Sequence, residues 1–219
     1  MKETLKLTIS LGVICAAAAL VLAVAHQATQ PAQEEAALKE QQGSLKLVLP
    51  NFDNNPLEQA TTVTTKDERK VTFYPALKDG VLVAFAAEGS TEKGYGGKLT
   101  VLAGLKPDGT IRAVVVSDHA ETPGLGTQVT DRKRDAHISE VFRGKRENAQ
   151  EDALPPSAYL DQYTDRSVTD GHTFAITPDG GDIEPVSGAT ISSRAVADAV
   201  NAIADAFREN QAKLQAAAR

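Results

Sequence analysis

Residues 7–25 carry no charged side chain, and this uninterrupted apolar run is the strongest local pattern in the chain. At about 1.5 Å per residue the run spans roughly 28 Å as a helix, close to the hydrocarbon thickness of a bilayer. Lys2 and Lys6 flank its start, and no Lys or Arg follows until Lys39. That asymmetry predicts a cytoplasmic positive end, with the rest of the chain on the other side. Two readings stand: a retained anchor over residues 1–30, and a signal peptide cleaved after Ala23-Val24-Ala25. The apolar run is longer than the roughly 7–15 residues of a signal-peptide core, which favours the anchor.

Beyond the run the pattern changes. Residues 34–49 mix Leu38, Leu45, Leu47 and Leu49 with Glu, Gln and Lys, predicting a helix interrupted at Gly43-Ser44 and ended by Pro50. Residues 51–56 form a loop, and residues 70–74 are extended. Three strand-like runs follow. Residues 81–87 are apolar throughout. In residues 98–105, Leu99, Val101, Ala103 and Leu105 share one face. Residues 111–116 come after Lys106-Pro107-Asp108-Gly109-Thr110, a turn that makes these last two strands an antiparallel hairpin. Gly94-Tyr95-Gly96-Gly97 predicts a flexible loop. Residues 143–170 are polar, contain Pro155-Pro156, and predict a surface excursion. Residues 174–177 predict a short strand. A terminal helix over residues 192–216 places Val196, Val200, Ile203 and Phe207 on one stripe.

Contiguous strands, then loops, then a helix give an α+β class: an antiparallel sheet with flanking helices and one N-terminal transmembrane helix. The expected organisation is a membrane anchor over residues 1–30 and a helical and extended connector over residues 31–80. A domain over residues 81–219 then contains the excursion.

Composition narrows the function. With 42% hydrophobic and 24% charged residues, the chain is neither disordered nor low-complexity. A formal net charge of −6 and the absence of Trp exclude a basic, base-stacking surface, so no nucleic-acid partner is expected. The one cysteine, Cys15, lies in the apolar run, which excludes disulfide frameworks, cysteine zinc sites, iron–sulfur clusters and CxxC redox motifs within the chain. Gly89 and Gly94 have Walker-like spacing, but Tyr95 stands where the phosphate-binding Lys is needed. No GxGxxG follows a strand and no GxSxG is present. His26, His119, His137 and His172 are never three or four residues apart, so neither a catalytic set nor a metal site is predicted.

Two segments carry candidate chemistry. Ser187-Gly188-Ala189-Thr190-Ile191-Ser192-Ser193 precedes the terminal helix. Small residues admit a close ligand, and free N–H groups with the helix dipole favour a phosphate beside Thr190. The same residues equally describe an ordinary N-cap by Thr190, Ser192 or Ser193. Glu121-Thr122-Pro123-Gly124-Leu125-Gly126 follows the strand ending near Ser117, and such a turn either binds a flat ligand or merely turns.

Taken in order, Gly94-Tyr95-Gly96-Gly97, a hairpin, His119-Ala120-Glu121-Thr122-Pro123-Gly124-Leu125-Gly126, and Ser187-Gly188-Ala189-Thr190 before a helix resemble the G-type subunit family of the Rnf electron-transport complex. The C-type subunit of the sodium-pumping NADH:quinone oxidoreductase shares the domain. The resemblance covers nearly the whole chain, anchor included. It implies an FMN-binding domain with FMN joined through its phosphate to the hydroxyl of Thr190, within the motif formed with Ser187, Gly188 and Ala189. It also implies a separate FAD:protein FMN transferase that makes this phosphoester, using Mg²⁺, in the exported compartment. No base is evident in the motif, so an external enzyme fits the weak nucleophilicity of a threonine hydroxyl. Glu121, Thr122, Gly124, Leu125 and Gly126 are then expected at the ring's polar edge. Tyr95 either stacks on the ring or is an ordinary tyrosine.

The function implied is a flavoprotein relay in a ferredoxin:NAD oxidoreductase complex coupled to Na⁺ or H⁺ translocation. It would sit in the bacterial inner membrane with its body in the periplasm, among other membrane and peripheral subunits. A lone apolar helix has no charged path for an ion, so those subunits must provide it. One position departs from the family: Glu184 stands where an Asp is usual, keeping the carboxylate on a longer arm. The alternative from another class is a non-redox, membrane-anchored assembly or binding protein on the same fold.

Overall fold

The computed structural model describes residues 2–132 and 154–217. The chain divides into two compact units, one ending at Gly43 and one beginning at Ser44. Helix α1 is Lys2–Val48, unbroken at Pro31 and also at Gly43-Ser44, where the sequence pattern predicts an interruption. Within α1, Ile9–Gln30 is 22 residues long with a mean hydropathy of 2.3, long and apolar enough to cross a membrane.

The second unit is built on a five-stranded antiparallel sheet. Its strands are β1 (Thr61–Thr64), β2 (Lys70–Lys78), β3 (Val81–Gly94), β4 (Gly97–Leu105) and β5 (Ile111–His119), hydrogen-bonded in chain order. A short helix α2 (Thr127–Thr130), two 3-10 turns (Leu160–Tyr163 and Thr177–Asp179) and helix α3 (Thr190–Ala217) follow. Residues 61–78, expected in a connector, are therefore two strands of the sheet. The reason is burial on both sides: Val71 and Phe73 face one core, Tyr74 and Ala76 the other. The extended stretch expected over residues 70–74 is thus the first part of β2.

One face of the sheet packs under α3, whose Val196, Val200, Ile203 and Phe207 form the expected stripe. Phe207 sits over Phe73 and Phe85, with ring centroids 6.2 and 6.1 Å away. The other face is covered by Leu45, Val48 and Leu49 on Tyr74, Ala76, Ala84, Ala86 and Leu102. Here the backbones touch: a Cβ on Gly104 would lie 2.2 Å from the Val48 carbonyl oxygen, so only glycine fits.

The β4–β5 hairpin forms as its turn residues predict, with Leu105 opposite Ile111 and Gly109 at φ +90°. The Thr110 amide donates to Asp108 Oδ1 at 2.8 Å, and this bond holds the Asp108 carboxyl below its ordinary range. Gly94-Tyr95-Gly96-Gly97 is not a flexible loop but a tight hairpin tip, since β3 runs on to Gly94, which pairs with Gly97. Residues 174–177 make only a single bridge, Ile176 to Ile183, because Pro178 and the left-handed Gly180 turn the chain before a ladder can grow.

Part of the expected excursion, residues 143–153, lies outside the described residues. Its later part runs at the surface but is anchored: Tyr159, Leu160, Tyr163 and Val168 are buried in the main core. Polar composition conceals these four anchors. Arg132 ties this segment to the sheet, donating to the carbonyl oxygens of Val114 (3.0 Å) and Pro155 (2.8 Å) and to Asp161 (2.7 Å).

Candidate functional site

The site is assembled where α3 begins. Gly188, at φ +79°, turns the chain, and the Ala189 amide donates to the Val186 carbonyl at 3.0 Å. The Ala189 carbonyl then accepts the first helical bond, from Ser193 N–H at 2.9 Å. Ala189 is thus the N-cap residue, and alanine has no side-chain acceptor. Among the described residues the amides of Thr190, Ile191 and Ser192 have no acceptor.

The neighbouring hydroxyls do not cap these amides. Ser193 Oγ donates to the Ala189 carbonyl at 3.0 Å and accepts from Val186 N–H at 3.2 Å. Ser192 Oγ donates to Glu121 Oε2 at 2.7 Å. Thr190 is half-buried, and its hydroxyl has no hydrogen-bond partner among the described residues. The N-cap reading of these three residues is therefore replaced by another arrangement. A 28-residue helix presents its positive end uncapped, beside an unengaged hydroxyl.

Glu121 is the centre of the surrounding structure, 6% exposed. Besides Ser192, its other oxygen lies 3.5 Å from the Gly96 amide. A Cβ on Gly94 would stand 2.7 Å from Glu121 Oε1, and one on Gly126 2.4 Å from Oε2. A Cβ on Gly96 would stand 1.9 Å from the Ala120 carbonyl oxygen. These three glycines permit the hairpin tip and the turn to close on Glu121. They are crowded by protein rather than open to a ligand.

Gly124 and Gly188 differ. Nothing lies within 4 Å of a Cβ on Gly124, and only Leu125 Cδ2, at 3.7 Å, is near one on Gly188. In the turn, the Thr122 carbonyl accepts from Leu125 and Thr127 N–H at 3.2 and 3.3 Å, and Thr127 Oγ1 accepts from Gly124 N–H at 2.9 Å. The Glu121 amide donates to His119 Nδ1 at 3.3 Å, and His119 Nε2 lies 3.1 Å from Thr130 Oγ1.

Four large apolar side chains of this unit are exposed among the described residues, and three belong to the site: Tyr95 (69%), Leu125 (51%) and Ile191 (48%). Glu121, Gly126, Ser192 and the hairpin tip are thus brought together by direct contact, and Leu125 lies near Gly188. Ser187, Thr122 and Gly124 lie exposed on the same segments. Tyr95 stands out from the tip, with no ring contact among the described residues. Nothing in the sequence pattern singles out Ile191. Its exposed apolar side chain in the first helical turn becomes notable only once the fold is known.

Upstream, Glu184 is exposed and held by its backbone. Its amide donates to Gln162 Oε1 at 2.7 Å, and its carboxylate accepts from Thr177 Oγ1 at 3.4 Å. Asp182 is engaged by Arg166 and by His172 Nε2, the latter at 3.4 Å. The Arg166 hydrogen bond holds Asp182 below its ordinary pKa. Asp179 forms a two-pronged pair with Arg194, at 2.6 and 2.8 Å.

Residues 94–205 match the FMN-binding domain family, which places the unit in a flavin-nucleotide class of domain. The matched span runs from the hairpin tip into α3. The chain is 31% identical to the G-type subunit of the ion-translocating oxidoreductase complex of Cereibacter sphaeroides, covering 94% of this chain and 85% of that protein. It is 31% identical to the protein of the same name from Haemophilus influenzae, at 98% and 95% coverage. For Methanosarcina acetivorans the identity is 29%, at 93% and 94% coverage. The chain belongs to this G-type family of ion-translocating oxidoreductase subunits, the Rnf type that its motifs resemble.

Proposed function

We propose that this chain is a membrane-anchored, electron-carrying FMN subunit of an Rnf-type ion-translocating oxidoreductase complex, with FMN esterified through its phosphate to Thr190. One observation carries the reading: the Thr190 hydroxyl is unengaged at the uncapped, positive end of α3. A phosphate there receives the amides of Thr190, Ile191 and Ser192 without displacing any existing bond. The open backbone at Gly124 and Gly188 admits a bulky group. Leu125, Ile191 and Tyr95 supply apolar surface for a tricyclic ring, with Tyr95 available for stacking. The backbone at Thr122 and Gly124 lies beside this surface and serves the ring's polar edge.

Bound FMN supplies electron exchange in single steps, which the side chains of this chain do not provide. The protein's part is to hold the group, exclude its loss and keep its ring at high effective concentration in one place. On attachment, Thr190 Oγ gains the bond to phosphorus, its proton passes to a base of the FAD:protein FMN transferase, and AMP leaves FAD. The exposed carboxylate of Glu184 is offered to that transferase in place of the usual Asp.

In this reading Ile9–Gln30 crosses the inner membrane, and the unit from Ser44 onward lies in the periplasm. Other subunits supply the ion path and pass electrons between ferredoxin and NAD.

The test is intact mass and in-gel flavin fluorescence of chain produced with and without the transferase. Wild type is expected to gain one FMN only with the transferase, Thr190→Ala none, and Thr190→Ser part of the wild-type yield. A bare Thr190 in chain from the native host would overturn the attachment, and purified protein that is colourless as well as non-fluorescent on the gel would favour a non-redox binding protein.

A further inference from the structure

We infer that Glu121 is a positioning residue for the Thr190 acceptor: its buried carboxylate, through Ser192, anchors the first turn of α3 while leaving that turn's amides free. The inference rests on the proposed role of Thr190. A helix's first turn has no intrahelical N–H bonds of its own and frays unless something holds it. The usual holder is an N-cap side chain, which consumes one of those amides. Ala189 cannot act in this way, and an amide so consumed would be lost to a phosphate.

The bond from Ser192 Oγ to Glu121 Oε2, at 2.7 Å, solves this differently. It grips the turn by a side chain two residues beyond Thr190 and occupies no backbone N–H. The carboxylate also sits at the positive end of the helix dipole, where negative charge is favourable. The anchor is itself rigid, because Gly94 and Gly126 crowd the carboxylate and the Glu121 amide is bonded to His119 Nδ1. Leaving such a carboxylate buried without its hydroxyl donor is costly, so the pair acts as a unit. Glu121 touches no ligand in this account and acts only through Ser192.

The test compares wild type with Glu121→Gln, Glu121→Ala, Ser192→Ala and the double Glu121→Ala/Ser192→Ala chain. Each is labelled with FAD, Mg²⁺ and the transferase, and the initial rate of FMN attachment is taken per folded molecule. Glu121→Ala and Ser192→Ala are expected to lose about tenfold or more in rate, since small displacements of a reacting group are that costly. The double variant should be no worse than Glu121→Ala. Glu121→Gln should recover most of the rate, because a carboxamide still bonds the hydroxyl. Hydrogen exchange of the Ser193, Arg194 and Ala195 amides, followed in the unlabelled chains, should quicken in the same variants.

Wild-type rates per folded molecule in both single variants, or multiplied losses in the double variant, would overturn the inference. Ser192→Ala removes a single oxygen and keeps the comparison open if Glu121→Ala fails to fold. If wild type itself takes no flavin, the role of Thr190 falls instead, and the exchange rates alone decide whether Glu121 anchors the turn.

Discussion

Asp198, on α3, gathers three donors: Lys93 Nζ at 2.7 Å, Thr91 Oγ1 at 2.8 Å and Arg69 at 3.1 Å. Burial alone would raise its pKa, but the bonds from Lys93 and Thr91 and the charges of Arg69 and Lys93 outweigh burial and hold it below the ordinary value. A carboxyl depressed in the folded state contributes stability above its unfolded pKa of about 3.9 and loses it as pH falls through the lower folded value. Asp198→Asn is therefore expected to destabilise the protein by about 1 kcal/mol at neutral pH. The gap to wild type should close below about pH 4. Urea unfolding at a series of pH values measures it; a gap that persists in acid would refute the assignment. Glu121 is the contrasting carboxylate. It is more buried, and its bond comes from the Ser192 hydroxyl rather than from Lys or Arg.

At the scale of elements, the start of α3 is also held from beneath. Tyr159 donates to the Ser193 carbonyl at 2.7 Å, and its hydroxyl lies 2.9 Å from that of Tyr163. Burial pushes Tyr159 up to about 12 and Tyr163 well above its ordinary value. A raised folded pKa means that this stability is fully present below the unfolded value of about 10 and is lost as pH rises above it. Of the four tyrosines, Tyr159 and Tyr163 are expected to stay protonated in the native protein past pH 10 and to ionise together with unfolding. Phenolate absorbance followed alongside circular dichroism tests this; ionisation of all four before any loss of structure would contradict the buried pair. The same turn explains how the later part of the polar segment, residues 154–170, is anchored to the core. Tyr159, Leu160 and Tyr163 form one apolar face of a short helical turn under α3, a face too brief for periodicity to reveal.

For the whole molecule, the decisive question is which side of the membrane holds the second unit. Lys2 and Lys6 precede the apolar segment and no Lys or Arg follows it until Lys39, a charge bias that predicts a cytoplasmic N-terminus. In a Cys15→Ala background, a membrane-impermeant maleimide applied to spheroplasts is expected to label Gln215→Cys and to spare Glu3→Cys. The reverse pattern would place Thr190 in the cytoplasm and so undo the proposed attachment by an exported transferase.

What could be read without tertiary information was whatever depends on near neighbours. The membrane-length run, the apolar stripe of α3, the Pro-Asp-Gly hairpin and the order of the three motifs each follow from spacing over a few residues. Contacts across long separations were decided by the fold. Glu121 and Ser192 are 71 positions apart, and only the closing of hairpin tip, turn and helix onto one carboxylate distinguishes the crowded glycines from the open Gly124 and Gly188. The placing of residues 61–78 in the sheet likewise depended on two cores meeting its two faces. Whether the Thr190 hydroxyl serves as a cap or stands free depended on which partners the fold brings within 3.5 Å, because hydrogen bonding is short-ranged and directional.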